Sequence, residues 1–266
     1  MKNVLVTGAT GYIGQNLTKH FEKRGCRTFP YDRKMREWDR ADIDSFEKYD
    51  GVVHLAALSG IPACEKDIDS AIFDNMIISF KIFERALESK IPVVFTSSQA
   101  AKTPGDSVYA TMKRSVELMA SDIIFRGGDV RVLRMTNVYG GFEYMRKKNT
   151  VIKQFLNKKI RGNVIAIHGD GTQERDFIHV DDVCEFIWLA LNHEEKIPDP
   201  VDIGTGIGTS MIDLAKKFAH SYAFTDSRNV GTQSSVADIT KAKELFNYQA
   251  RDKMKEYIDT RPDLLS

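Results

Sequence analysis

With 266 residues, 42% hydrophobic and 28% charged, the chain has an ordinary globular composition, enough for one large domain or two small ones sharing a sheet. A net charge of +1 leaves no electrostatic footprint for nucleic acid or an anionic membrane, and the basic cluster MRKKN at 145–149 reads as a solvated loop. Three scattered cysteines, Cys26, Cys64 and Cys184, argue against a disulfide framework and fit a reducing compartment. No apolar run approaches a membrane span, and Lys2 leads straight into a strand-like run without a signal-peptide pattern. The expectation is a cytoplasmic protein.

The run NVLVTG at 3–8 reads as a buried strand, and Ile13, Leu17 and Phe21 then recur at helical spacing until Gly25. Strands follow at 26–32 and 51–58. A helix over 70–88 carries Ile72, Met76, Phe80, Phe83 and Leu87 along one face. A strand at 92–98, a helix at 107–125 and a strand with its loop at 129–140 complete a β–α–β rhythm. That rhythm predicts an α/β fold, a Rossmann-type doubly wound parallel sheet with helices on both faces. After Gly140 the pattern loosens: a helix over 150–159, a short strand in NVIAIHG, and an amphipathic helix in HVDDVCEFIWLALN capped by one of its aspartates. A small strand at 200–206 and helices near 210–220, 238–246 and 252–259 follow. The expected division is a dinucleotide-binding core over 1–140, to which 176–204 returns, and a small C-terminal substrate-binding lobe from 141–175 and 205–266.

The stretch TGATGYIG places Gly8, Gly11 and Gly14 between the first strand and the first helix. Gly8 permits a tight turn, Gly11 a close approach of backbone amides to a pyrophosphate, and Gly14 close packing of the helix. The helix N-terminus then offers N–H groups and the positive dipole end to the anion. Asp32, closing the second strand, suits the adenosine ribose hydroxyls and repels a 2′-phosphate, which favours NAD over NADP. Arg33 beside it is able to embrace such a phosphate and pulls the other way. Asp42, next to Ile43 in RADIDS, places a carboxylate near an adenine amino group or else on a solvated turn.

YATMK at 109–113 sets a phenol one helical turn before an ammonium. An unperturbed phenol titrates near ~10 and is a poor base at neutral pH. Lys113 and a positive nicotinamide ring are expected to lower the Tyr109 pKa. Ser98, at the end of the preceding strand, is placed to hydrogen-bond the oxygen whose proton moves. Ser98, Tyr109 and Lys113 thus form the expected catalytic unit. His54, His168 and His179 show no metal-ligand spacing and read as strand or loop residues, with no metal expected.

TGATGYIG, HLAA, Ser98, YATMK, RMTNVYGG, RDFIHVDDV and DIGTG occur in one order along nearly the whole chain. In this the sequence resembles the extended short-chain dehydrogenases/reductases, in their nucleotide-sugar epimerase/dehydratase branch. The resemblance implies a seven-stranded core, bound NAD, a nucleotide-sugar substrate and a homodimer formed through the helices at 70–88 and 107–125. It adds Thr10, Tyr12, Ile13, Leu55, Ala56, Ala57, Asn75 and Thr136 to the cofactor contacts. On the substrate side it implies Asn137, Asn149, Arg175 and Arg228, with Ser235 at a gate position where a small side chain admits an N-acetylated sugar. An uncharged alcohol substrate would not require Arg175.

In related dehydratases the residue in Ser98's place is followed by an Asp–Glu pair, and decarboxylating members carry a Glu two positions on. Here Gln99 and Ala100 stand there. What remains needs only a hydride and one proton: 4-epimerisation of a UDP-sugar, or reduction of a nucleotide-4-keto-sugar with NAD(P)H. A non-catalytic dinucleotide sensor is a third reading, disfavoured by the retained Tyr–Lys pair. The short span from Ser98 to Tyr109 and the compact lobe depart from the usual epimerase pattern.

Overall fold

The computed structural model describes residues 1–31, 46–141, 150–218, 221–226 and 233–260. Strand β1 (Asn3–Thr7) leads through the glycine loop into helix α1 (Tyr12–Glu22) and then β2 (Arg27–Tyr31). Next come β3 (Gly51–His54), the short helices α2 (Ile61–Lys66) and α3 (Ile68–Ile72), one π-helical turn (Phe73–Ile77) and α4 (Ile78–Ser89). The helix expected over 70–88 is thus interrupted by a wider turn, and Lys90 in left-handed conformation (φ 53°) ends it. Then follow β4 (Val93–Ser98), a 3₁₀ turn (Gln99–Lys102), α5 (Val108–Phe125), β5 (Val130–Met135) and β6 (Asn137–Tyr139).

Among the described residues the central sheet has six strands, in the order β10–β5–β4–β3–β1–β2 with β10 at Val201–Ile203, one fewer than the resemblance implies. All its pairings are parallel. The strand period of two divides its side chains. Val4, Val6, Val53, Val94 and Leu133 face α1 and helix α7 (Val180–Leu191). Leu5, Val52, Val93, Phe95 and Val132 face α4 and α5. Fully buried anchors such as Phe21, Ile82 and Phe83 each contribute about 1.5–3 kcal/mol of apolar burial. The chain order reverses between β1 and β3, so the connections leaving them run to opposite faces of the sheet, and the crevice at such a switch point lies beyond their C-terminal ends.

The second half adds α6 (Val151–Ile160), β7 (Ile165–His168), β8 (Glu174–Arg175), β9 (Phe177–His179), β11 (Thr209–Ser210), α8 (Met211–Lys217), β12 (Tyr222–Thr225), β13 (Ser234–Ser235), α9 (Thr240–Phe246) and α10 (Met254–Asp259). A separate apolar cluster built on Tyr139, Phe155, Ile167, Phe177, Phe218 and Tyr257 packs this region. The expected aspartate cap of α7 is not found. His179 caps it, its Nδ1 accepting from the Asp181 N–H at 3.3 Å. Asp182 instead turns inward and accepts from Tyr248 Oη at 2.6 Å and Lys253 Nζ at 2.8 Å. Asp181 and Asp182 both lie in the first turn, where a negative charge already suits the helix dipole. Among the described residues, no helix is long and apolar enough to cross a membrane.

Candidate active site

The crevice between β1 and β3 is lined by the glycine loop. Gly8 has φ +68°, and a Cβ there would lie 2.8 Å from the Ala56 nitrogen, so the loop and the segment after β3 approach backbone to backbone. A Cβ on Gly14 would lie 2.2 Å from the Gly8 carbonyl oxygen. Helix α1 therefore seats directly on the loop. Gly11 occupies its N-cap without a side-chain cap, which leaves the first-turn amides of Ile13 and Gly14 directed to the crevice. The Tyr12 hydroxyl donates to the Gly140 carbonyl at 2.8 Å, so its expected cofactor role falls to its backbone. Thr10 lies in the loop just before Gly11 and is exposed, while Leu55, Ala56 and Ala57 form the opposite wall and are half-buried.

A hydrogen-bonded chain braces that wall from behind. The Ala56 N–H donates to Thr7 Oγ1 (3.2 Å), which lies 2.7 Å from His54 Nδ1, while His54 Nε2 lies 2.9 Å from Ser79 Oγ. Ser79 donates its own proton to the Asn75 carbonyl at 2.6 Å. Each hydroxyl donates once, which puts the His54 proton on Nε2 and leaves the ring neutral. Burial, with Lys113 nearby, lowers the His54 pKa to about 3. His54 is accordingly a strand residue with no metal role. Among the described residues, no cluster of His, Cys, Asp and Glu is arranged to hold a metal.

The Asn75 side chain is buried and bonded to Leu58, accepting from its N–H at 2.7 Å and donating to its carbonyl at 3.0 Å. The π-helical turn aims the amide at the loop after β3, so Asn75 shapes the crevice wall through that loop.

Ser98, Tyr109 and Lys113 are brought together as the sequence predicts. Ser107 caps α5 by accepting from the Ala110 N–H at 3.1 Å, which fixes where the helix begins. Tyr109 is half-buried and lies near the Ser98 hydroxyl. Lys113 is buried, donates from Nζ to the Thr96 carbonyl at 2.8 Å, and lies 6.0 Å from the centre of the Tyr109 ring. Burial pushes Tyr109 up to about 12; the Ser98 hydroxyl pulls it down, and the nearby Cys64 raises it.

Thr136 follows β5, and its hydroxyl is buried with no hydrogen-bond partner among the described residues. Asn137, exposed at the start of β6, donates from Nδ2 to the Asp176 carbonyl at 3.1 Å. Arg175 lies on β8 between β11 and β13, directly beside Ser235 in register, and burial pulls its pKa down. Asp32, Arg33, Asp42, Ile43, Asn149 and Arg228 lie outside the described residues.

Sequence reasoning missed the group that assembles this side. The carboxylate of Asp176, fully buried, accepts from Thr205 N (3.0 Å), Thr205 Oγ1 (2.6 Å), Gly206 N (3.0 Å) and Ala237 N (3.3 Å). It ties β8 to the DIGTG loop and to the chain after β13. The only cue was an acid between a basic and an aromatic residue in ERDFIHV.

Residues 4–204 match the NAD-dependent epimerase/dehydratase family. A dTDP-4-dehydro-6-deoxy-D-allose reductase from Streptomyces bikiniensis is 26% identical over 93% of this chain and 91% of its own. The solved structure of MoeE5 with UDP-glucuronic acid and NAD is 25% identical, with a TM-score of 0.86 over 97% of each chain. A UDP-N-acetylglucosamine 4-epimerase from Methanobrevibacter ruminantium, at 23% identity, shares the fold with a TM-score of 0.84 over 97% of this chain and 96% of that one. The close approach at Gly8, the seat under Gly14 and the uncapped α1 N-terminus fit a dinucleotide pyrophosphate. The chain is therefore an NAD-dependent enzyme and a member of the NAD-dependent epimerase/dehydratase family.

Proposed function

We propose that this chain is a nucleotide-sugar 4-epimerase working by transient oxidation at C4, on a UDP-sugar of the UDP-Glc/UDP-Gal or UDP-GlcNAc/UDP-GalNAc type. One observation carries the reading: α5 sets Tyr109 near Ser98 at the end of β4, with the buried Lys113 6.0 Å from its ring centre, and no carboxyl group follows Ser98. Gln99 is buried and donates to the Arg134 carbonyl at 3.3 Å, while the Ala100 side chain carries no group that could hold a proton. Water elimination and decarboxylation therefore lack their acid, and a hydride with one proton remains.

Bound NAD supplies the hydride acceptor for C4, and its oxidised ring adds a positive charge that favours phenolate. Tyr109 takes the 4-hydroxyl proton while Ser98 holds the same oxygen, and Lys113 stabilises the ionised phenol. Tyr109 later returns the proton to the 4-oxygen, so no net proton is consumed. Arg175 pairs with the diphosphate, its planar fork matching two phosphate oxygens. Asn137 and Asn149 contact the substrate, Arg228 adds a second diphosphate contact, and Ser235 leaves room for an N-acetyl group. Asp32 holds the adenosine ribose, Arg33, Asp42 and Ile43 flank the nucleoside, and Thr136 offers its hydroxyl to the cofactor. The core over 1–140, with 176–204, carries NAD, and 141–175 with 205–266 carries the sugar nucleotide.

The similarity to MoeE5, solved with UDP-glucuronic acid and NAD, supports this assignment. The similarity to a 4-keto-sugar reductase favours a second reading, NAD(P)H-dependent reduction of a nucleotide-4-keto-sugar. The two separate when purified protein is denatured, its released cofactor identified, and UDP-Glc and UDP-GlcNAc followed by NMR without added nicotinamide. A new C4 epimer supports the epimerase; strict dependence on stoichiometric NADPH rejects it. A homodimer is part of the proposal, formed through the α3–α4 and α5 faces, where Ile72, Ile77, Phe80 and Leu118 are exposed. Light scattering tests it, and Phe80→Glu with Leu118→Glu is expected to give monomer.

A further inference from the structure

Helix α5 touches three successive residues of β4, each from a position one helical turn further along. Tyr109 lies near the side chain of Ser98. Lys113 donates to the Thr96 carbonyl at 2.8 Å. Glu117 accepts from Ser97 Oγ at 2.7 Å. At spacings of four these three side chains share one face of the helix. Glu117 is 1% exposed, yet its charge is fully engaged. Arg134 on β5 forks onto it, Nε at 2.8 Å and Nη2 at 2.6 Å, and Arg114 reaches it from the same helix at 3.2 Å. Arg134 stands opposite Ser97 in the strand register, and Asp202 on β10 lies 3.9 Å from its Nη1. Burial raises the Glu117 pKa, but the bonds from Arg134 and Ser97 outweigh it and the net shift is downward. A bidentate guanidinium pair is directional, so it fixes both the height and the rotation of the helix over the strands.

We propose that Glu117, clamped by Arg134 and Ser97, is a positioning residue that sets the rotation of α5 and so places the Tyr109 hydroxyl beside Ser98. Its action runs through the helix, since it meets Ser97 rather than Ser98. The proposal rests on the reading that Tyr109 is the proton acceptor. Two effects of removing Glu117 have opposite signs. Losing a nearby negative charge, with Arg134 left unmatched, lowers the Tyr109 pKa. Moving the phenol away from the Ser98 hydroxyl raises it. Cys64, on α2, bears on the phenol from outside α5 and is unchanged in either case.

The test uses NAD-loaded protein labelled with ¹³Cζ-tyrosine, the Tyr109 resonance being assigned with Tyr109→Phe, over about pH 6–11, into which the positive nicotinamide ring brings the phenol down from about 12; a wild-type phenol that stays neutral throughout overturns the proposal. The variants are Glu117→Gln and Ser97→Ala, the second neutral and isosteric enough to fold if the first does not. Positioning predicts that each moves the Tyr109 titration upward by at least about half a unit. It further predicts that kcat for UDP-sugar epimerisation falls about tenfold while KM and bound NAD hold, and that Ser97→Thr restores the wild-type profile. A titration that coincides with wild type in both variants, or one that moves downward, overturns the proposal. Because the resonance needs no substrate, an upward shift in a protein inactive on every nucleotide sugar supports the positioning role while rejecting the epimerase reading.

Discussion

Glu117 and Asp176 are both buried carboxylates, 1% and 0% exposed, and they are held in opposite ways. Glu117 has guanidinium partners on two elements, so its charge is matched by charge. Asp176 is held by three backbone N–H groups and one hydroxyl, all neutral. The first arrangement stiffens a helix whose chemistry is already written along its own face. The second gathers chain segments far apart in sequence around one acceptor. Half of the site is therefore fixed by a helix repeat and half by closure of the fold.

The sharpest way to break this comparison is Tyr109→Phe. It is expected to lower turnover roughly 10³-fold while NAD stays bound, read by NMR of the sugar and by cofactor release on denaturation. An unchanged rate would remove the helix side from the chemistry altogether.

His54 extends the comparison to a third buried titratable group, held like Asp176 by neutral partners. The folded ring binds a proton only near pH 3, whereas the unfolded ring does so near 6.5. The unfolded state thus takes up more protons between these values, and stability falls as pH drops from 6.5 toward 3. The full loss is about 5 kcal/mol. Urea unfolding at several pH values checks it: relative to wild type, His54→Gln should gain stability as pH falls through this window. A constant gap would mean the folded ring titrates where the unfolded one does.

Asp176→Ala sharpens the other side. It leaves buried donors without an acceptor and is expected to cost on the order of 3 kcal/mol in urea unfolding, with Asp176→Asn milder because one acceptor oxygen remains. At the small end stands Phe125, 92% exposed at the far tip of α5. Phe125→Ser should change stability by less than about 0.5 kcal/mol and leave turnover alone, which would show that the helix matters through its first turns.

What the sequence disclosed follows the same division. The glycine spacing, the strand at Val93–Ser98 and the phenol–ammonium pair are local patterns, and the structure brings Ser98, Tyr109 and Lys113 together as read. The two-residue strands β8, β11 and β13 are too short to carry any period, so the pairing of Arg175 with Ser235 had no local trace. Nor did the commitment of Asn75 to Leu58, which depends on the π-helical turn. The phenol near 12 was missed because proximity of a lysine is visible in a sequence, whereas the burial that outweighs it is not.

The connection between Ser98 and Tyr109 is brief, while Asp176 reaches for donors 29 and 61 residues downstream. Short closures cost less chain entropy and form sooner. In refolding, the Ser98–Tyr109 pair should therefore come together before the segments gathered by Asp176 do.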